Sequence, residues 1–326
     1  MTAITLVEAV NQALAYEMAK DDSVIVLGED IAINGGVFRA TVGLHEKFGA
    51  ARVLDTPLAE SMIAGISIGM ATQGLKPVAE FQFMGFIYSA FDHILSHAAR
   101  MRNRTRGRLH CPLVFRAPFG GGIHAPEHHC ESTEALFAHI PGLRVVIPSS
   151  PARAYGLLLA SIRDPDPVIF LEPKRIYRLV KQEVPDNGEA LPLDRCFILR
   201  EGSDITLVTW GAMIKETLEA AEHLHQRGIE AEVIDVATIK PLDMKTILHS
   251  VEKTGRCVII HEAPLTGGVG AEIAAGIAEK GLLSLTAPIK RVTGYDTVMP
   301  YFKLEKYYMP STQRILDGVQ EVLEYA

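Results

Sequence analysis

Short runs of apolar and β-branched residues alternate along this chain with longer stretches of helical period. In the first part the runs fall at 24–27, 78–83, 113–116, 144–147 and 168–171, and residues 5–19, 58–73, 88–103 and 151–163 between them read as helices. The runs are apolar at consecutive positions rather than at every second one. That predicts strands covered on both faces, as in a parallel sheet between helix layers. The rhythm breaks near 174–203, where Lys181-Gln182-Glu183-Val184-Pro185-Asp186-Asn187-Gly188-Glu189 is polar and rich in turn formers. Alternation then resumes, with strands expected at 205–209, 232–236, 257–260 and 290–292 and helices at 212–227, 243–253, 270–281 and 312–325. The expected organisation is an α/β domain at 1–183, a linker at 184–203 and a smaller α/β domain at 204–326. No short-period repeat is visible.

Composition narrows the function. The 326 residues are 48% hydrophobic and 22% charged, a globular balance, and the net charge of −7 does not invite nucleic acid. One basic block, Arg100 to Arg108, reads as a solvated helix end or as a contact for an acidic surface or anionic ligand. The four cysteines stand singly at 111, 130, 196 and 257, which excludes a zinc knuckle and suits a reducing compartment. No run approaches the roughly 20 apolar residues of a membrane span, and no apolar signal core opens the chain, so a cytoplasmic protein is expected.

The stretch Asp55-Thr56-Pro57-Leu58-Ala59-Glu60 carries the strongest chemical signal. Thr56 can cap a helix with Pro57 in its first turn, which puts Glu60 at the end of that turn. The residues that follow, among them Ala64, Gly65, Ser67, Gly69 and Ala71, are small enough for a central, dry helix. A lone carboxylate at such an entrance serves the helix dipole or does chemistry; to share a proton near neutral pH its desolvation must outweigh the dipole. Gly65-Ile66-Ser67-Ile68-Gly69 fits a nucleophile elbow in letters only, because no strand precedes it. Gly120-Gly121-Gly122-Ile123-His124 lacks the ending of a phosphate-binding loop and suggests a mobile or closely approached segment. Glu127-His128-His129-Cys130-Glu131, just after it, is either a polar loop or the seat of an acid–base histidine. Gly267-Gly268-Val269-Gly270 is a plain helix entry or an anion cradle. Met84, Phe86 and Phe91 are core residues by default, or a wall for a flat cofactor.

Together these segments resemble the beta subunit of the thiamine-diphosphate-dependent decarboxylating component of 2-oxo acid dehydrogenase complexes. The resemblance runs nearly end to end, through Gly28-Glu29-Asp30, Gly35-Gly36-Val37-Phe38-Arg39, Arg52 to Glu60, Pro77 to Phe86, Phe137 to Leu143, Ile162 to Val168, Glu172-Pro173-Lys174 and Lys253-Thr254-Gly255-Arg256. It implies a transketolase-like fold, a pyrimidine-binding domain followed by a smaller C-terminal domain. It also implies that Glu60 hydrogen-bonds the aminopyrimidine ring and favours its imino tautomer, which removes the thiazolium proton. Phe86 would stack on the pyrimidine with Leu58 beside it. His129, with His128 in reserve, would assist reductive acyl transfer to a lipoyl group. A structural potassium ion would lie at Leu113, Val114, Ser161, Ile162, Asp164 and Asp166, mostly on backbone carbonyls.

One absence refines this. Diphosphate-binding thiamine enzymes carry Gly-Asp-Gly and a downstream asparagine for magnesium; this chain has no Gly-Asp-Gly and only four asparagines. The resemblance therefore implies an alpha subunit that supplies the diphosphate and magnesium half, in an α2β2 heterotetramer with active sites at α–β interfaces. The beta C-terminal domain would dock the dihydrolipoyl acyltransferase core, whose lipoyl domain takes the acyl group. The substrate is a small 2-oxo acid. The first half, including Phe86, looks like pyruvate-type subunits, and the second half looks more like branched-chain subunits acting on 3-methyl-2-oxobutanoate. Acetoin dehydrogenase and a non-catalytic docking subunit are the alternatives.

Overall fold

Thr5 shows how the first helix starts. Its side chain accepts the N–H of Glu8 while the Glu8 carboxylate accepts the N–H of Thr5, a capping box that opens the helix Leu6–Lys20. The Thr5 hydroxyl bond is also the main reason the Glu8 carboxyl titrates below its ordinary range. The computed structural model describes residues 3–325; residues 1, 2 and 326, which the expected domain ranges include, lie outside the described residues. The chain divides into two units, 1–119 with 136–193, and 120–135 with 194–326.

In the first unit, parallel strands run in the order Arg144–Val146, Val168–Pro173, Val114–Phe119, Lys76–Glu80, Val24–Gly28, Val53–Asp55. Val26, Val78, Phe115 and Ile169 are fully buried. Burial of each such side chain contributes about 1.5–3 kcal/mol. The helix Pro151–Arg163 lies where the periodicity predicts it, with Ser150 as its cap. The helix expected at 88–103 is broken into a 3-10 segment Met84–Ala90, a turn Phe91–His93, a π turn Ile94–Ala98 and a short helix Met101–Arg104. At the π turn the N–H of Ala99 bonds the carbonyl of Ile94, five residues back. Such a change in hydrogen-bond span leaves the apolar spacing nearly helical, so the pattern alone cannot show it.

A charged cluster lies inside this sheet. Arg116, 1% exposed, is held fork-to-fork by Glu172, with Nε 2.7 Å from Oε1 and Nη2 2.8 Å from Oε2. Its Nη1 also bonds Glu80 Oε2, and the Tyr177 hydroxyl donates to Glu172 Oε2 at 2.5 Å. Burial pushes the Glu80 carboxyl up, Arg116 opposing it and Glu172 adding to it. The charge count favours the same outcome, since one guanidinium faces two carboxyls and a proton on Glu80 balances them.

In the second unit, strands Lys290–Thr293, Cys257–His261, Ile205–Thr209 and Ala231–Asp235 are parallel neighbours, and Phe197–Arg200 pairs antiparallel to the last. The stretch expected as a linker therefore contains a strand. Its residues Phe197-Ile198-Leu199 are apolar, but the strand is short, lies at the sheet edge with Ile198 exposed, and follows the polar, turn-rich stretch that reads as linker. A second departure is larger: residues 120–135, expected in the first domain, group with this unit. Cys130 is buried in its core with Met213, Met299, Tyr308 and Met309. Trp210 Nε1 donates to the buried Glu134 Oε1 at 3.2 Å. Burial, with a smaller push from Glu262, raises the Glu134 carboxyl to about 7. All four cysteines are buried and free, and no helix among the described residues is long and apolar enough to cross a membrane.

Two predictions test these interiors. Replacing Arg116 by Met strands two carboxyls and should destabilise the first unit by about 3–5 kcal/mol, whereas Glu80→Gln should cost under about 1 kcal/mol. Thermal unfolding of the purified chain measures both, and a mild Arg116→Met would contradict the cluster's role. For Glu134, the unfolded chain sheds its proton near the ordinary 4.5 while the folded chain holds it to about 7. The unfolded state thus binds fewer protons in that window, and stability falls as pH rises through it. Gln keeps the acceptor for Trp210 and has no proton to lose. Denaturant unfolding from about pH 5 to about pH 7 should show Glu134→Gln gaining on the wild type, by an amount on the order of 3 kcal/mol at most; parallel pH profiles would refute it.

Candidate functional site

Ligands of open parallel sheets collect beyond the carboxyl ends of the strands. Strands Val53–Asp55, Val24–Gly28 and Lys76–Glu80 are neighbours in register, and the chain leaving each delivers a candidate residue. Glu29 directly follows the middle strand, Leu58 and Glu60 follow the first, and Phe86 follows the third.

Glu60 is the first residue of the helix Glu60–Thr72, with Ala59 at the cap position and no side-chain cap. Thr56 therefore does not cap this helix. Its N–H is tied to the Gly28 carbonyl at 2.9 Å, and the proline after it disfavours helical backbone, so the helix opens later than expected. The shift puts Glu60 among the helix's free N–H groups. The carboxylate is half-buried, and Ser89 Oγ donates to its Oε2 at 3.4 Å. The neighbouring Ser61 hydroxyl bonds the Ser89 carbonyl, which ties the segment Met84–Ala90 to the helix start. In that segment Phe86 is half-buried, its ring 5.5 Å from Phe83 and edge-on to it. Leu58 is 79% exposed. Carboxylate, ring and aliphatic ledge thus sit on segments that meet at one end of the sheet.

Glu29, which no local pattern marks, lies beside these residues. It is buried, its Oε1 has no hydrogen-bond partner, and its carboxyl is pushed up by burial first and then by the charges of Glu60 and Asp30. Two carboxyls whose charges act on each other thus lie at this end of the sheet, one of them buried. The only trace of this in the sequence is an acid directly after an apolar strand. The Thr56 hydroxyl is a second buried polar atom there without a partner. These orphaned atoms, the open ledge and the ring suit a polar, flat heterocycle such as an aminopyrimidine.

The helix is not dry all round within this chain. Ile63, Ala64, Ser67, Ile68 and Ala71 are buried, while Ile66 and Gly69 are exposed on the other face. Ser67 lies inside the helix with its hydroxyl on the Ile63 carbonyl at 2.7 Å, so no nucleophile elbow exists. At the expected potassium position the acidic side chains are already taken. Asp164 pairs with Arg144 at 2.7 Å, Asp166 pairs with Arg102 at 2.7 Å, and the Ser161 hydroxyl bonds the Leu157 carbonyl. The Leu113 carbonyl accepts the N–H of Val168, the strand partner of Val114. No group of three or more His, Cys, Asp or Glu able to hold a metal occurs among the described residues.

The histidine loop belongs to the second unit and is closely approached. Gly120 has φ +82°, and a Cβ there would lie 2.1 Å from Glu262 Oε1. His128 is exposed and His129 half-buried, in a 3-10 turn closed by the His129 N–H on the Pro126 carbonyl. The entry Gly267-Gly268-Val269-Gly270 is no anion cradle. The buried His261 ring fills it, with Nε2 2.6 Å from where a Gly270 Cβ would stand. Burial pushes that imidazole down to about 4, and its ring stacks on Trp210 at 5.2 Å, so it is a neutral packing group.

Comparison with known proteins accounts for both units. Residues 2–180 match the pyrimidine binding domain of transketolase, and residues 194–315 match the transketolase C-terminal domain. The chain is 46% identical over 325 residues to the pyruvate dehydrogenase E1 component subunit beta of Bacillus subtilis, covering all of both proteins. It is 50% identical over 322 residues to the subunit of the same name from Acholeplasma laidlawii, covering 99% of this chain and 98% of that one. A solved structure described as a split-gene transketolase in an inactive beta4 tetramer superposes with a TM-score of 0.82 at 25% identity, covering 99% of each chain. This chain, with its transketolase-like pair of domains, belongs to the family of pyruvate dehydrogenase E1 beta subunits.

Proposed function

We propose that this chain is the catalytic beta subunit of a thiamine-diphosphate-dependent dehydrogenase of 2-oxo acids, with pyruvate as substrate, working with an alpha subunit. The observation that carries the reading is Glu60 at the opening of its helix, beside the buried Glu29 and on the same sheet end as Phe86 and Leu58. When bound, the cofactor supplies the nucleophilic carbon that attacks the 2-oxo carbonyl and accepts the electron pair released with carbon dioxide. Glu60 holds a proton at a ring nitrogen of the aminopyrimidine, and Glu29 backs that proton. Phe86 and Leu58 hold the ring by stacking and apolar contact. His129 assists transfer of the acyl group to a lipoyl domain, with His128 as the alternative donor.

An alpha subunit is supported by the missing diphosphate motif and by the face of the Glu60–Thr72 helix left open at Ile66 and Gly69. In this reading it holds diphosphate and magnesium and completes an α2β2 assembly, and the beta C-terminal domain docks an acyltransferase core. A potassium ion at 161–166 would rest on backbone carbonyls, since the side chains there bond elsewhere. The names of the relatives favour pyruvate over a branched-chain acid or acetoin.

With alpha subunit, thiamine diphosphate and magnesium, dye-linked turnover should be greatest on pyruvate, ahead of 3-methyl-2-oxobutanoate and acetoin. Glu60→Gln should lower it at least about a hundredfold with the assembly intact; near-normal turnover would remove Glu60 from this role. His129→Ala should keep dye-linked decarboxylation within about tenfold yet cut acylation of a lipoyl domain on the order of a hundredfold. If His128→Ala does that instead, the roles exchange, and equal loss in both assays would sink either assignment.

A further inference from the structure

The histidine loop is held by a residue that neither composition nor spacing marks. Glu305 stands in the short helix Phe302–Tyr308 and is 3% exposed. Its Oε1 accepts the N–H of Gly122 at 2.7 Å, and its Oε2 accepts the N–H of His124 at 3.2 Å. The His124 ring comes within 3.5 Å of the same oxygen through Nε2. His124 adopts a left-handed backbone, φ +61°, that a histidine seldom takes without support. Three other ties complete the frame. The Gly120 N–H bonds the Glu131 carbonyl at 3.0 Å and closes the loop's base, the Gly121 N–H points at Glu262 Oε2 at 3.4 Å, and Cys130 is sunk in the core.

We infer that Glu305 is a positioning residue for acyl transfer: its carboxylate holds the main chain at Gly122 and His124 and so aims the histidines at 128 and 129. The inference rests on the reading of that loop as the acyl-transfer element. A buried carboxylate spending both oxygens on main-chain N–H groups makes charge-assisted bonds, roughly twice as strong as neutral ones. They act on the part of the loop between its closed base and its buried cysteine. Loss of this hold would let the histidines wander by the ångström or so that costs about a hundredfold in a well-oriented reaction. Decarboxylation, which in this reading rests on Glu60 rather than on the loop's aim, should be affected far less.

The test uses the full chain assembled with its alpha subunit, in Glu305→Ala and Glu305→Gln forms beside His129→Ala. Glu305→Ala should keep dye-linked decarboxylation within about twofold and lower kcat/KM for a free lipoyl domain at least about tenfold. Glu305→Gln, which keeps one acceptor but turns an amide donor towards the second N–H, should fall between, and it decides the matter if the alanine form does not assemble. Amide exchange in a peptide covering 121–129 should speed up while that of the strand Ile205–Thr209 stays unchanged. Equal loss in both half-reactions, or wild-type acyl transfer despite faster loop exchange, overturns the inference. If His129→Ala spares acyl transfer while Glu305→Ala impairs it, the histidine assignment falls and the positioning role stands; the reverse pattern removes Glu305 and leaves the histidine.

Discussion

One guanidinium shared by two carboxyls organises the first unit. Glu80 and Arg116 face each other in register on adjacent strands, and Glu172 reaches Arg116 from the strand on the other side. Side chains alternate faces along a strand, so a slip of one residue would turn these charges to the wrong side of the sheet and leave them unpaired. Burying ions stabilises little, and an apolar core of the same shape could be as stable. The cluster is better understood as a register lock. It holds the sheet at the end where the chain departs towards Glu29, Glu60 and Phe86, and a misplaced strand would displace all three.

At that end burial changes the properties of ordinary residues. The Glu29 carboxyl is pushed up by burial and by the charge of Glu60, which starts a helix whose opening N–H groups have no side-chain cap. The second unit repeats the device with a different outcome. Glu134 is lifted to about 7 by burial and by Glu262, and its oxygen accepts the Trp210 indole N–H.

Much of this was legible beforehand. Consecutive apolar runs located the strands Val24–Gly28, Val168–Pro173 and Ile205–Thr209, and helical period located Pro151–Arg163. Those signals come from burial within one element, which local pattern records. Glu60 stood out because a single acid opens an apolar helix. The failures share a cause. Thr56 had the chemistry of a cap, but a bond to a strand distant in sequence held it extended. The edge strand Phe197–Arg200 was masked by the turn-rich stretch before it, although 197–199 are apolar, and the π turn at Ile94–Ala98 kept the expected spacing while changing the hydrogen bonds. Glu29, Glu262 and Glu305 gain their roles only from neighbours that the fold brings to them, and no local window contains those neighbours.

The histidine loop sits mid-way through the chain of one unit and packs in the core of the other. The two domains are therefore not exchangeable cassettes. A crossover anywhere in 136–193 would pair the loop of one parent with the Glu262, Glu305 and Trp210 positions of the other. A hybrid of two related chains should therefore fold best when 120–135 and 194–326 come from the same parent.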